Sequence, residues 1–325
     1  MKRSISKFSI ACLSLALLVA SPLAAGSSTY AAPTKSAPTA NAAVTKSFTV
    51  EDFANREIKF TKPVSRVVVL SSGDARIMSD IGATVVGRPA IKDPSFPQSV
   101  MKAIEVGSTH KVDYEKVTSL KPELIIANVA NLKDVKSLEA TGAKVFLGNA
   151  SSISDIQKSI TLYGQMTGRD KRAAEINTYM NKLLKEIKID KENPKKVLLV
   201  YGAPGALLAA LPSSLSGDLL AKAGGKNVAE DYPSMKEYSG YAQLSTERII
   251  TSDPDYVMLI THGDPAEVEK TFMGEIQKNA AWKNLKAVKN KKVIVLPSNL
   301  FGVNPGSKVT DSLQYLTKKL QEEDK

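Results

Sequence analysis

The sequence predicts an α/β protein of two similar lobes joined by a long helix. Short runs of Val, Ile and Leu alternate with short helical patterns from about residue 66 to 147, and again from about 197 to 296. That rhythm belongs to parallel sheets with helices on both faces. From residue 153 to 190 the rhythm stops, and apolar residues recur at helical spacing instead, with an interruption near Gly168. The two halves also repeat. Residues 113–126 read DYEKVTSLKPELII and residues 245–260 read STERIITSDPDYVMLI. Both place a glutamate before a basic and an aliphatic residue, then a proline, an acid and an aliphatic run. One unit used twice implies two related lobes. A ligand would then lie between them, outside the carboxyl ends of the strands.

In chain order, Lys2, Arg3 and Lys7 precede an apolar run from Phe8 to about Ala20. Small residues follow, and Thr29-Tyr30-Ala31 suits cleavage before Ala32, so residues 1–31 read as a secretory signal peptide. The run is short and is followed by Pro22, which argues against a membrane anchor. Residues 32–46 are rich in Ala, Pro, Thr and Ser and read as a flexible linker. Residues 47–150 form the N-terminal lobe, 151–194 the interlobe helix and 195–325 the C-terminal lobe. Phe48 to Phe60 alternates around Asn55 as a hairpin. Strands are expected at Arg66–Leu70, Thr84–Gly87, Leu124–Ile126 and Lys144–Leu147, with helices at Ala75–Ile81, Tyr114–Leu120 and Val135–Thr141. In the second lobe, strands are expected at Val197–Val200, Tyr256–Ile260 and Lys292–Leu296. Helices are expected at Leu215–Ala223, Thr246–Thr251 and from about Lys308 onward.

Several function classes are excluded by residue type. The only cysteine, Cys12, falls within the signal, so the mature chain has no disulfide or thiol chemistry. Cys12 stands at the start of the apolar run, after Ser9-Ile10-Ala11, which is a poor place for lipid attachment. The chain is therefore expected to be exported to the cell surface, the medium or a periplasm without a lipid anchor. The net charge is +11, but lysines are spread among acids with no aromatic-interleaved basic block, so nucleic acid is not an expected partner. Gly202-Ala203-Pro204-Gly205 lacks dinucleotide-binding spacing, and no P-loop, GxSxG or HExxH motif occurs. An enzyme on a doubly wound fold is the alternative class, and it lacks a nucleophile, a cofactor fingerprint and an acid–base pair.

Several ordered blocks carry a family resemblance. They are Arg66-Val67-Val68-Val69-Leu70, Glu115-Lys116-Val117 with Leu120-Lys121-Pro122-Glu123-Leu124-Ile125, Gly224-Gly225-Lys226-Asn227, and Trp282 with Ala287-Val288-Lys289-Asn290-Lys291-Lys292-Val293. With these the chain, from Thr49 to its end, resembles the solute-binding proteins of iron-siderophore, haem and cobalamin ABC importers. The resemblance implies two Rossmann-like lobes joined by a long rigid helix, a helical-backbone periplasmic-binding-protein-like fold with limited hinge motion. It implies a monomer that hands a small iron-bearing ligand to a membrane permease. Thr261 to Val268 and Leu300-Phe301-Gly302 are similar in particular to the haem-receptor lipoproteins of Gram-positive iron-regulated surface systems. Haem is therefore the expected cargo, with a ferric siderophore or cobalamin as the alternative.

The resemblance puts His262 on a histidine ligand of haem iron. It puts the loop Val106-Gly107-Ser108-Thr109-His110 where those receptors carry a methionine and some related carriers a tyrosine. His110 and His262 are the only histidines in the chain, one per lobe. An imidazole from each side suits six-coordinate iron in a flat macrocycle, and two are too few for the usual zinc cluster. A lone loop histidine making one hydrogen bond is the commoner arrangement. Glu115 and Glu247 open equivalent helices. Both would favour the helix dipole, with Asp113 and Ser245 as N-caps. The resemblance adds that each offers a carboxylate to a permease arginine. Tyr238 and Tyr241 are candidates for lining the cleft. So is Arg76, which with Arg88 could meet ligand carboxylates or form surface ion pairs.

Overall fold

The computed structural model describes residues 47–108, 111–189 and 192–322. The signal, the linker and His110 fall outside them. Among the described residues two main sheets form. The first runs Ile104–Glu105, Val85–Arg88, Val67–Val69, Leu124–Asn128, Lys144–Gly148, all parallel. Its central strand is fully buried, as a parallel strand covered on both faces must be. The second runs Tyr241–Gln243, Ala206–Ala210, Lys196–Ala203, Tyr256–Thr261, Val293–Val295, with Lys226–Asn227 pairing the start of Lys196–Ala203. The expected hairpin forms as Phe48–Glu51 against Glu57–Phe60, with Asn55 at φ 58° in the turn and Phe48 stacked on Phe60 at 5.2 Å.

Successive strand residues point to opposite faces, and the cores follow that alternation. Val67, Val69, Leu124 and Ile126 of the first sheet join one core with Val197, Leu199, Met258 and Ile260 of the second. Val68, Leu70, Ile125 and Ala127 face a separate core under the helix Tyr114–Ser119, and Leu198, Val200, Val257 and Leu259 face another. The shared core is filled by Ile153, Ile156, Ile160 and Met166 and by Val309, Leu313 and Leu316 of the last helix, Val309–Gln321. The lobes are thus joined by a packed interior as well as by the chain. Close packing resists bending, which gives the expected rigidity a cause.

The interlobe segment is built differently in detail from one continuous rod. Ser152 caps the helix Ile153–Thr167, and Gly168 at φ 66° ends it in the left-handed conformation that glycine adopts without strain. The helix Asp170–Glu186 then turns back along it. Gln157 bonds Asn181 at 2.8 Å, and Asn177 bonds the Gln157 carbonyl at 3.0 Å and Thr161 at 2.9 Å, so the pair is antiparallel. The first of the two helices is about 22 Å long at 1.5 Å per residue, and it is tied at two places. Its Ile153 N–H donates to Asp218 of the helix Leu215–Lys222 at 2.9 Å. Its Tyr163 hydroxyl donates to Asp74 of the helix Ser72–Asp80 at 2.7 Å.

Asp74 is buried, and its other oxygen accepts from Ser71 at 2.5 Å. Burial raises its carboxyl above the ordinary 3.8, although both hydrogen bonds pull the other way. A carboxyl raised in the folded state contributes stability below its unfolded value, and that contribution is lost as pH rises through the folded value. Asp74→Asn, which has no proton to lose, should therefore gain stability relative to the parent as pH rises from below 3.8 to neutral. Denaturant melts across that range would check this. A difference that shrinks with rising pH would show the carboxyl to be better satisfied than its burial implies.

In the second lobe the strand expected to stop at Val200 runs to Ala203 and doubles back as Ala206–Ala210. Pro204 and Gly205, the latter at φ 76°, are the residues a tight turn of this kind needs. Pro265–Lys278 is a further helix, outside the elements expected from the sequence. Asp264 caps it by accepting from the Ala266 and Glu267 N–H groups.

Candidate functional site

One segment near the C-terminus meets elements of both main sheets' lobes. Gly73, just after the strand Val67–Val69, packs so closely that a Cβ there would lie 2.3 Å from the Asn304 side chain. A Cβ on Gly306 would lie 2.5 Å from the Gly73 carbonyl. Asp80 accepts from the Ser307 hydroxyl. A few residues earlier, the carbonyl of Gly302 meets His262 at the end of the strand Tyr256–Thr261. The chain from Gly302 to Ser307 therefore links the carboxyl edge of the second sheet to the helix Ser72–Asp80 that follows the strand Val67–Val69 of the first.

His262 is held by several contacts. Its backbone N–H donates to the Gly202 carbonyl at 2.8 Å, extending the ladder by one residue. Its Nδ1 stands 3.0 Å from the Gly302 carbonyl oxygen. A carbonyl can only accept, so Nδ1 is the donor of this bond, and in the uncharged ring the lone pair is then on Nε2. Both glycines are required by space. A Cβ on Gly302 would lie 2.3 Å from the Thr261 carbonyl, and one on Gly202 would lie 2.4 Å from Val268. The imidazole lies against Tyr201, with ring centroids 5.7 Å apart at 30°. Tyr201 in turn lies 4.7 Å from Tyr241 at 49°. Burial, and then the neighbouring phenols of Tyr241 and Tyr238, hold the Tyr201 hydroxyl well above the ordinary 10, and burial raises Tyr241 as well. Tyr201 and Tyr241 are therefore neutral at physiological pH, and they offer flat apolar faces and hydroxyl dipoles beside the imidazole.

Tyr238 is exposed, and its carbonyl accepts from the Tyr241 N–H at 2.9 Å. Arg76 is on the helix Ser72–Asp80 of the N-terminal lobe. It is buried, with its guanidinium 4.2 Å from the centre of the Phe96 ring, and its Cβ is one of the atoms that leave Gly306 no room for a side chain. Arg88 pairs with Glu105 at 3.2 Å and donates to the Pro89 carbonyl, which is the ion-pair alternative for that residue. His110 lies outside the described residues. The strands on either side of it in sequence, Gly107–Ser108 and Lys111–Val112, pair antiparallel. Glu115 and Glu247 are exposed in the first turns of Tyr114–Ser119 and Thr246–Ser252. Asp113 accepts from the Lys116 N–H at 3.1 Å and Ser245 from the Arg248 N–H at 3.4 Å, so both helices are capped without the glutamates.

Tyr201 and Gly302 are the members of this cluster that residue patterns alone did not mark as functional. Tyr201 follows a run of four buried aliphatic residues and reads as more core. Two distinct hollows, of about 420 Å³ beside Leu183 and Gln314 and about 380 Å³ beside Phe60 and Lys144, lie away from His262.

A family model described as periplasmic binding protein matches residues 67–300. The high-affinity heme uptake system protein IsdE of Staphylococcus aureus strain Newman is 31% identical over 244 residues, covering 73% of this chain and 81% of that protein. An ABC transporter substrate-binding protein from Listeria monocytogenes EGD-e has a similar structure, with a TM-score of 0.71 and 28% identity over 81% of this chain and all of that one. S. aureus IsdE complexed with heme gives a TM-score of 0.71 at 27% identity, covering 79% of this chain and 99% of that one.

Proposed function

The chain belongs to the periplasmic binding protein family, and from that premise we propose that it is the substrate-binding protein of an ABC iron importer, capturing haem between its lobes and delivering it to a membrane permease. One observation carries the choice of cargo. His262 sits at a strand's carboxyl end with its Nδ1 proton committed to the Gly302 carbonyl, so its basic nitrogen is Nε2. An imidazole held by its Nδ1 in this way suits axial ligation of haem iron through Nε2, and a carbonyl on the other nitrogen strengthens it as a donor. The likeness to a haem-uptake protein across 73% of the chain supports the same reading.

In this reading His262 binds iron from the C-terminal lobe and His110 from the N-terminal lobe. Tyr238 and Tyr241 line the cleft. Glu115 and Glu247 meet the permease, one from each lobe. The protein works as a monomer outside the membrane, exported by its signal peptide and without a lipid anchor, and it performs no catalysis. Among the described residues no helix is long and apolar enough to cross a membrane.

A second reading, a ferric-siderophore receptor, is favoured by the gathering of Tyr201, Tyr238 and Tyr241 beside His262. Mass spectrometry and an absorbance scan of the purified protein, followed by titration with ferric haem, separate the two. Haem is expected to bind one to one with the spectrum of low-spin, six-coordinate iron. Co-purification of a ferric catecholate or hydroxamate, with no spectral change on adding haem, would establish the second reading.

A further inference from the structure

We propose that Tyr201 is a positioning residue for His262, its ring fixing the plane in which the imidazole meets the iron. The proposal rests on the haem reading of the site for its consequence, though not for its geometry. An imidazole has two freedoms once its Cα is placed, and each is met by a separate contact. The bond from Nδ1 to the Gly302 carbonyl at 3.0 Å sets the in-plane direction of the ring and its tautomer. That bond alone leaves the ring able to rock about the line joining the two atoms. The Tyr201 ring, 5.7 Å away and tilted by 30°, blocks rocking toward one face.

Tyr201 is itself fixed. It is half-buried on the strand Lys196–Ala203, hydrogen-bonded on either side to Ala206–Ala210 and Tyr256–Thr261, with Leu208 and Ile260 directly opposite. Tyr241, on the strand that pairs with Ala206–Ala210, lies against its ring at 4.7 Å. The ledge therefore belongs to three neighbouring strands of a sheet and not to a loop, which gives it the precision a positioning element needs.

The consequence is electronic. An axial imidazole stands perpendicular to a haem, and its plane selects which iron d orbital it overlaps. A fixed plane gives one sharp magnetic signature, and a rocking ring gives a spread of them. Rocking also weakens the iron–nitrogen bond, because the lone pair points at the metal for less of the time.

The test uses the full mature chain and has two arms. In the first, without haem, proton–nitrogen NMR of the ring reads the tautomer and the ring-current shift of His262. The chain has two histidines, so His110→Ala assigns the signals. The parent and Tyr201→Phe should show the Nδ1–H tautomer and an upfield shift of the imidazole protons. Tyr201→Leu should lose the shift. In the second arm, ferric haem is added. Tyr201→Phe should keep the magnetic spectrum of the parent, and Tyr201→Leu should broaden it and speed haem release by about fivefold, the scale of one aromatic contact. Tyr241→Leu, which removes the support and spares the ledge itself, should give a smaller change in the same direction. It serves in place of Tyr201→Leu if that variant fails to fold. An unchanged ring shift and spectrum in the leucine variants would overturn the proposal. So would a Tyr201→Phe spectrum that differs from the parent, since the hydroxyl and not the ring would then be acting. A normal first arm with no haem bound in the second would leave the positioning intact and sink the haem reading instead.

Discussion

His262→Ala is expected to lower the affinity for ferric haem by about 100-fold, or ~2.8 kcal/mol, and to convert the iron from low spin to high spin. The size follows from how little His262 must give up on binding. Its backbone is in a ladder, its Nδ1 is anchored to Gly302 and its ring lies on Tyr201. Little ordering remains to be done when the bond to iron forms, so most of that bond's free energy is realised as affinity. His110→Ala should also remove the six-coordinate low-spin signal, with a smaller loss of affinity if the C-terminal lobe supplies the anchor. His110→Met should retain haem and raise its reduction potential, because a thioether favours ferrous iron over ferric. Titration with ferric haem, followed by absorbance and electron paramagnetic resonance, reads all three variants. If both alanine variants kept the parent's spectrum and affinity, the histidines would be bystanders and the siderophore reading would move ahead.

The sequence made some of this legible and hid the rest, for physical reasons. The buried strands were visible because a parallel strand covered on both faces needs an unbroken aliphatic run, as Val67-Val68-Val69 and Leu198-Leu199-Val200 supply. The repeat was visible because the same unit is built twice, down to its turns. Lys121 and Asp253, each just before a proline, both adopt positive φ, at 45° and 40°. The reversal at Gly168 was hidden because apolar spacing reports which face of a helix is buried and not where the chain goes next. Glycine at the break signalled only an interruption. The return strand Ala206–Ala210 was hidden because Gly202-Ala203-Pro204-Gly205 looks the same in a loop and in a hairpin turn. At the candidate site, His262 was marked by its chemistry and its resemblance. Its supports were not, because a carbonyl has no residue signature and Gly302 is marked only by the 2.3 Å approach it allows. Arg76 was marked by its charge. Its place over Phe96 is a tertiary contact that no local pattern announces.

Glu115→Lys combined with Glu247→Lys is expected to leave haem affinity within about twofold of the parent and to cut permease-dependent uptake by at least about tenfold. Both carboxylates are exposed, and among the described residues neither forms an ion pair or a side-chain hydrogen bond. Their helices are already capped by Asp113 and Ser245, so the glutamates are not needed as caps. What each adds to its own helix is the dipole interaction, about 0.3–1 kcal/mol. The double variant should therefore remain folded. The placement decides the rest. Each helix leads into a strand of its sheet, Tyr114–Ser119 into Leu124–Asn128 and Thr246–Ser252 into Tyr256–Thr261. A helix in such a unit runs back against the strand, so its first turn lies at the strand's carboxyl edge. That edge is where His262 stands. The two carboxylates thus lie on the carboxyl edges of their two sheets, the arrangement that two like subunits of a permease can engage together. A lost carboxylate would cost one contact, and a lysine in its place adds repulsion against an arginine partner, which is why reversal and not neutralisation is the sharper probe. Haem titration of the variant in solution, beside haem uptake by vesicles carrying the permease, gives the two numbers. Uptake equal to the parent's would reduce Glu115 and Glu247 to first-turn acids with no role in delivery.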